Sequence, residues 1–373
     1  MRIAALFVVL WCGAAQNPSG GAAHNQAGEG PAVAAYLPEW RYEGANWDEI
    51  CRRVSHLILF SAEVGPDGAL AALDRIPRRP LLAEARAAAA RHGTRLLLCF
   101  GGNGRSAGFA GMVADSASRA TFVKKLVALL AERGLDGVDY NWEYPGYIMG
   151  RGYADDSTTR REYAGLAALV RETRRAFDES PRPLALTLAY YPDGKQEVLL
   201  AASGVADDAD LLHAMSYDAP GGQHSPMSLA EAAVARAVSA RLPLHKCTLG
   251  LPFYARDARS GDWTTYEDMV QRHHPLGPTA DQVFVDGSAL GFNGVSTIEA
   301  KTKMALKAGL AGVMIWEVGQ DCRLRPTVHG KTTHVQTCPS DESSLLVAVQ
   351  RAIDAAPRSA QDATASQRSA PDL

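Results

Sequence analysis

The chain has 373 residues, 47% of them hydrophobic and 21% charged, and a formal net charge of -3. That is an ordinary globular composition with enough apolar residues for a substantial core. The near-neutral balance removes any electrostatic reason to expect binding to nucleic acid or to an anionic membrane.

The first residues, MRIAALFVVLWCGAAQ, read as a secretory signal over 1–15. Arg2 is a short positive region, Ile3 to Trp11 is the apolar core, and Gly13, Ala14 and Ala15 offer a cleavage site. An uncleaved membrane anchor is the rival, but the apolar run is shorter than the ~20 residues that span a bilayer. No later segment is long enough to span, so a secreted, extracellular protein without membrane contact after cleavage is expected. Residues 16–31, QNPSGGAAHNQAGEGP, form a polar, glycine-rich linker.

Beyond the linker, short apolar runs alternate with helical patterns. The runs are VAAYL (33–37), HLILFS (56–61), RLLLCF (95–100), GVDYNW (137–142), LALTLAY (184–190), LLHAMSY (211–217), TLGLPFY (248–254) and GVMIWE (312–317). Between most of them lie amphipathic patterns such as SRATFVKKLVALLAERG and TRREYAGLAALVRETRRAF, several closed by glycine, as helix ends prefer. Strand-like and helical runs in alternation predict parallel βαβ units. Eight units predict an α/β fold, a (β/α)₈ TIM barrel over 32–356, with a doubly wound sheet as the rival. Residues from Asp354 on turn rich in Ala, Ser, Gln, Asp and Pro, and 357–373 read as a disordered tail.

Cys12 leaves with the signal, so Cys51, Cys99, Cys247, Cys322 and Cys338 remain, an odd count with at least one unpaired thiol. Cys322 and Cys338 share one C-terminal loop and are the disulfide candidates in an oxidising compartment. Cys99 and Cys247 lie in or beside apolar runs and read as buried thiols. No Cys or His spacing matches a zinc site, and the adjacent pair His273 and His274 makes a poor metal clamp.

The chemistry concentrates in DGVDYNWE, residues 136–143. A strand has period two, so Asp139, Asn141 and Glu143 share one side. Inside a barrel a polar row is costly unless it serves function. Glu143 ends the run just before Tyr144, Pro145 and Gly146, which places it at the C-terminal mouth, where barrel sites lie. Burial and mutual repulsion in such a row raise carboxyl pKa values, so that a glutamic acid can stay protonated near neutral pH. A buried, hydrogen-bonded structural cluster is the alternative. Trp142 points away from the row, toward packing behind the strand.

DGVDYNWEYPG resembles the fourth-strand signature of family 18 glycoside hydrolases, the chitinase family, whose pattern is D-G-x-D-x-D-x-E. AAYLPEW resembles the family's first strand, LLLCFGG the end of the third, AMSYD the sixth, LGLPFYAR the seventh and GVMIWEVGQD the eighth. The resemblance implies a retaining, substrate-assisted glycosidase that cuts inside chitin or N-acetylglucosamine oligosaccharides, with no cofactor. Glu143 would protonate the glycosidic oxygen and later activate water, while the substrate's 2-acetamido oxygen attacks the anomeric carbon. Tyr217 would hydrogen-bond that oxygen, Asp218 would hold the sugar or its acetamido group, and Asp139 and Asn141 would complete the catalytic row. Trp316 would floor the −1 subsite and Tyr36 would support the row from below. Met215, Gly102 and Tyr254, in matching motifs, are further substrate-binding candidates, Tyr254 with Trp40 and Trp142 as core or outer-subsite alternatives. A monomer is expected.

Two departures qualify this. The family has Asp where this chain has Asn141, which can accept and donate hydrogen bonds but cannot oppose a positive oxazolinium with charge. A slow enzyme or a chitin-binding lectin is therefore an alternative, as is an endo-β-N-acetylglucosaminidase acting on N-glycans. Only residues 255–311 separate the seventh and eighth strands, so a full α+β insertion subdomain is not expected and an open, shallow cleft is. The glycine-rich GGNGRSAG (101–108) does not fit G-x-G-x-x-G and reads as a tight turn at the barrel mouth rather than a dinucleotide site.

Overall fold

The computed structural model describes residues 30–326 and 334–356. The expected signal segment 1–15, residues 16–29 of the linker, Cys12 and the tail 357–373 lie outside the described residues. Eight strands coincide with the eight apolar runs: β1 (Ala32–Pro38), β2 (His56–Val64), β3 (Arg95–Gly101), β4 (Gly137–Asn141), β5 (Ala185–Tyr190), β6 (Leu211–Ala214), β7 (Cys247–Pro252) and β8 (Gly312–Trp316). Each pairs in parallel with the next, and β8 pairs in parallel with β1. The sheet is thus closed, a (β/α)₈ barrel rather than a doubly wound sheet.

Period-two alternation sorts the strand residues between two cores. Val33, Ala35 and Leu37 of β1, like Val138 and Tyr140 of β4, pack outward into the cluster shared with the surrounding helices. Ala34 and Tyr36 of β1 belong instead to a separate cluster, with Ile58, Phe60, Leu97, Cys99, Met215, Tyr217 and Met314. The helices follow the predicted patterns. Ser116–Arg133 starts where the Asp115 carboxylate accepts the Ser118 N–H and stops at Gly134, whose φ of 64° suits a residue without a Cβ. Asp156–Asp178 is capped in the same way by Asp155.

Shorter helices, Trp47–Cys51, Phe109–Ala114, Lys195–Ser203 and Leu345–Asp354, were not predicted. They span too few turns for a 3.6-residue repeat to stand out from a strand-like run. Among the described residues no helix is long and apolar enough to cross a membrane.

The segment between β7 and β8 holds a compact α+β insertion. Strands Tyr254–Asp257, Trp263–Thr265, Gln282–Val285 and Ser288–Gly291 form an antiparallel sheet, with the helix Tyr266–His273 between the second and third. The expected disulfide joins Cys322 to Cys338, while Cys51, Cys99 and Cys247 are buried free thiols.

Candidate active site

The alternation that buries Val138 and Tyr140 behind β4 turns Asp139 and Asn141 into the barrel. Both are buried, at 0% and 2% exposed, while Glu143 emerges partly exposed where the strand ends. Trp142 stacks on Phe109 outside the barrel, with ring centroids 5.3 Å apart. Its packing role is the one the alternation predicted.

Asp139 is held from several strands. The Tyr36 hydroxyl donates to Oδ2 at 2.8 Å and the Thr187 hydroxyl to Oδ1 at 2.7 Å. The Cys99 thiol also donates to this carboxyl. Cys99 and Thr187 are its register partners on β3 and β5, so strand pairing alone brings them alongside. Burial raises the Asp139 pKa and these donors partly offset the rise. His213 places Nε2 3.8 Å from Asp139 Oδ1, and its Nδ1 meets the Thr248 hydroxyl at 2.8 Å. Burial, reinforced by nearby His56, pushes the His213 pKa down to about 3, so the ring is neutral beside the carboxyl.

Asn141 directs its amide to Glu143, an interaction that favours the ionised carboxylate. Its own Oδ1 is buried without a hydrogen-bond partner. Burial nevertheless dominates at Glu143 and, with the nearby charge of Asp218, pushes its pKa up to about 7. The Glu143 N–H donates to Ser106 Oγ at 3.1 Å, and the same hydroxyl approaches the Asn141 carbonyl at 3.2 Å. The peptide bonds after Phe60, Glu143 and Trp316 are cis, all three at this mouth.

Gly101 and Gly102 complete the third-strand end. Both have positive φ, 99° and 102°. A Cβ would come 2.3 Å from the Asn141 carbonyl oxygen at Gly101 and 2.3 Å from the Phe60 ring at Gly102. The Gly102 N–H is already used, donating to the Asn141 carbonyl at 2.6 Å. Gly102 therefore shapes the mouth through its missing side chain, with its N–H held by the Asn141 carbonyl.

The opposite wall comes from β6 and β7. Tyr217 is buried, its hydroxyl 3.7 Å from Met314 Sδ, and the carboxylates Asp218 and Glu143 raise its pKa further above the value that burial sets. Met215 is buried in the inner cluster. Asp218 sits in the left-handed region, φ 61°, and its Oδ1 accepts from Tyr254 Oη at 2.7 Å and Arg256 Nη1 at 3.0 Å. Tyr254 and Arg256 are brought in by the insertion. Trp263, half exposed on the neighbouring strand, stacks on Tyr254 at 5.0 Å. Trp316 lies across the inner cluster, 4.7 Å from Phe60 and 5.4 Å from Tyr36 between ring centroids. Trp40 is 55% exposed at the rim, with the Arg105 guanidinium 5.7 Å from its ring.

The residues predicted from sequence are thus brought to one end of the barrel, with Trp142 behind it. Sequence reading missed Thr187, Arg256, His213, His224 and Arg105. Thr187 was findable, as a polar residue at an inward position of the apolar run LALTLAY. His213 was findable in the same way, in the apolar run LLHAMSY, whereas Arg105, His224 and Arg256 depend on chain paths outside the barrel strands that period-two reasoning does not reach. Among the described residues no group of Cys, His, Asp and Glu could hold a metal ion.

Comparison with known proteins agrees with this architecture. The model of glycosyl hydrolases family 18 matches residues 32–321. The chain is 27% identical over 264 residues to chitotriosidase-1 of Mus musculus, covering 57% of this chain and 55% of that protein. It therefore spans about half the length of that relative. It is 26% identical over 339 residues to probable chitinase 2 of Drosophila melanogaster, covering 74% of this chain and 67% of that one. Among solved structures, a group IV chitinase of Ostrinia furnacalis in complex with allosamidin shares the fold with a TM-score of 0.71 at 20% identity, over 87% of this chain and 99% of that one. With a family match that runs from β1 to the loop beyond β8, the chain belongs to family 18 of the glycosyl hydrolases.

Proposed function

We propose that this chain is a secreted, chitinase-type glycosidase that cuts inside β-1,4-linked N-acetylglucosamine polymers or oligomers by a retaining, substrate-assisted mechanism. The observation that carries the proposal is Glu143: a carboxyl at the mouth of the barrel, held protonated up to about pH 7, at the end of an inward row with Asp139 and Asn141. A lectin needs no such proton donor.

In this mechanism Glu143 gives its proton to the glycosidic oxygen as the bond to the anomeric carbon breaks. The acetamido oxygen of the sugar in the −1 subsite forms the new bond to that carbon, giving an oxazolinium. Tyr217 hydrogen-bonds this oxygen and Trp316 supports the apolar face of the ring. The unpartnered Asn141 Oδ1 accepts the acetamido N–H, which orients the nucleophile without adding charge. Asp139, one step deeper and held by Tyr36 and Thr187, supplies a second carboxyl on the row behind Asn141. Glu143, now ionised, takes a proton from the water that opens the oxazolinium.

Asn141 favours a second reading. Removing one preorganised electrostatic group typically costs on the order of 10²–10³ in rate, which would leave a slow enzyme or an oligosaccharide-binding lectin. The discriminating experiment incubates the purified chain with soluble N-acetylglucosamine oligomers beside a Glu143→Gln control. Products that vanish in the control establish the hydrolase. Binding without cleavage in both establishes the lectin.

A further inference from the structure

The loop after β6 leads from Asp218 back into the protein at Ser225, and a buried polar chain lies beneath it. Ala219 N–H donates to the His224 carbonyl at 2.9 Å, which closes the loop on itself. The His224 ring is 1% exposed and packs against Tyr254, with centroids 4.7 Å apart. Its Nδ1 lies 3.4 Å from the Asp218 N and 3.6 Å from Asp218 Oδ1. Its Nε2 lies 3.3 Å from the Tyr254 carbonyl oxygen.

These partners fix the tautomer. The Asp218 backbone N–H can only donate, so Nδ1 accepts; the Tyr254 carbonyl can only accept, so Nε2 carries the proton. Burial holds the His224 pKa down to about 4, in keeping with a neutral ring. One imidazole thus touches Asp218 and Tyr254, one of the two residues that donate to Asp218 Oδ1, Tyr254 Oη at 2.7 Å and Arg256 Nη1 at 3.0 Å.

The base of the chain is fixed as firmly. Ser225 Oγ donates to the Ser216 carbonyl at 2.8 Å. Lys301, fully buried on the helix Val295–Lys307, donates from Nζ to Ser225 O, Ser225 Oγ and Asn293 Oδ1, each at 2.7 Å. Three neutral acceptors and no carboxylate surround Nζ, and burial lowers the Lys301 pKa to about 7. Asn293 Nδ2 returns to the Ser225 carbonyl at 2.8 Å.

We infer that His224 is a positioning residue for substrate binding: its ring accepts from the Asp218 backbone, donates to the Tyr254 backbone, and is anchored through Ser225 on Lys301, so that Asp218 meets the −1 sugar in one conformation. The need is local. Asp218 is a non-glycine residue at φ 61°, a region that costs ordinary residues free energy unless their surroundings hold them there. The inference rests on the proposed hydrolase reading and on the sugar-holding role that the family resemblance implies for Asp218.

The test substitutes His224 with Ala, Asn and Gln. An Asn side chain can place its oxygen near the position of Nδ1 and keep the acceptor for Asp218. A Gln side chain can place its amide near Nε2 and keep only the donor to Tyr254. Affinity for soluble N-acetylglucosamine oligomers is measured in a Glu143→Gln background, and kcat and KM with Glu143 intact. His224→Ala should weaken oligomer binding by up to about tenfold, the upper end of what one neutral hydrogen bond is worth. His224→Asn should recover most of that loss and His224→Gln should not. Unchanged affinity in His224→Ala, equal losses in all three variants, or recovery by Gln alone would each overturn the inference. A readout without ligand stands beside these: ring ¹⁵N spectra of His224 should show the Nε2–H tautomer at neutral pH, and an Nδ1–H form would overturn it. Because affinity is read without hydrolysis, a chain that binds but does not cleave refutes the hydrolase reading and leaves this inference to be judged on its own results.

Discussion

The Tyr36 hydroxyl on β1 donates to Asp139 on β4 at 2.8 Å across the inside of the barrel. This contact ties the bottom of the acid row to a strand that is not its neighbour in the sheet. With Thr187 and Cys99 it holds a fully buried carboxyl in a single orientation. Tyr36→Phe removes the longest-range of these restraints while keeping the ring that packs against Phe60 and Trp316. The expected result is a fall in kcat by about tenfold, one hydrogen bond to a charged group, with KM within about twofold, since Tyr36 acts through Asp139 rather than on the sugar. Steady-state kinetics on a soluble oligomer measure both.

Glu143 sets the alkaline side of the pH profile. Its carboxyl must be protonated to act as the acid, and burial and Asp218 raise its pKa to about 7. A raised pKa means the active form is complete well below pH 7 and is lost as pH climbs through that value. The profile of kcat/KM should therefore fall tenfold per pH unit above about 7. A break near the usual carboxyl value of ~4.3 instead would mean that Glu143 is not the acid.

Most of the framework behind these predictions is legible in the amino-acid sequence. Eight apolar runs became eight strands because inward and outward positions of barrel strands are both buried, so the runs stand out as unbroken. The direction of Asp139, Asn141 and Glu143 followed from period two alone. What the sequence concealed depends on chain paths outside regular elements. Arg256 and Trp263 reach the cleft on an antiparallel insertion whose strand Gln282–Val285 alternates in burial but not in polarity, because Phe284 shares the exposed face with Gln282. His224 reads as one polar residue in a glycine-rich loop until the left-handed turn at Asp218 folds that loop back. The segment after β7, expected to lack a full subdomain, holds a small sheet for which its Gly and Pro content gave no period.

Asn141→Asp isolates the departure in the middle of the row. A carboxylate there would oppose the oxazolinium directly, and the expected gain in kcat is on the order of 10². The substitution also removes the amide that donates to Glu143 and adds a like charge beside it. Both changes push the Glu143 pKa upward, so the alkaline limb should move to higher pH by roughly one unit. The new carboxyl must ionise to act, so an acidic limb should appear or sharpen. A profile and rate identical to those of the parent would remove any electrostatic role from this position.

Asp321 carries the stability of the C-terminal closure. It is 2% exposed just after β8, and accepts from Leu345 N at 2.8 Å, Leu346 N at 2.9 Å, Ser344 Oγ at 2.7 Å and Cys322 N at 2.8 Å. The first two are amide groups that open the helix Leu345–Asp354, where a carboxylate also faces the positive end of the helix dipole. That helix packs against Val295–Lys307, which carries Lys301. Asp321→Ala leaves these buried donors without an acceptor, and about 3 kcal/mol of stability should be lost. Ser344→Ala removes one donor and its cap, and should cost about 1 kcal/mol. Chemical denaturation of both variants, with the Cys322–Cys338 disulfide kept oxidised, would measure the difference. Equal small losses would mean that the helix is held by its apolar face alone, through Leu345, Ala348, Val349 and Ala352.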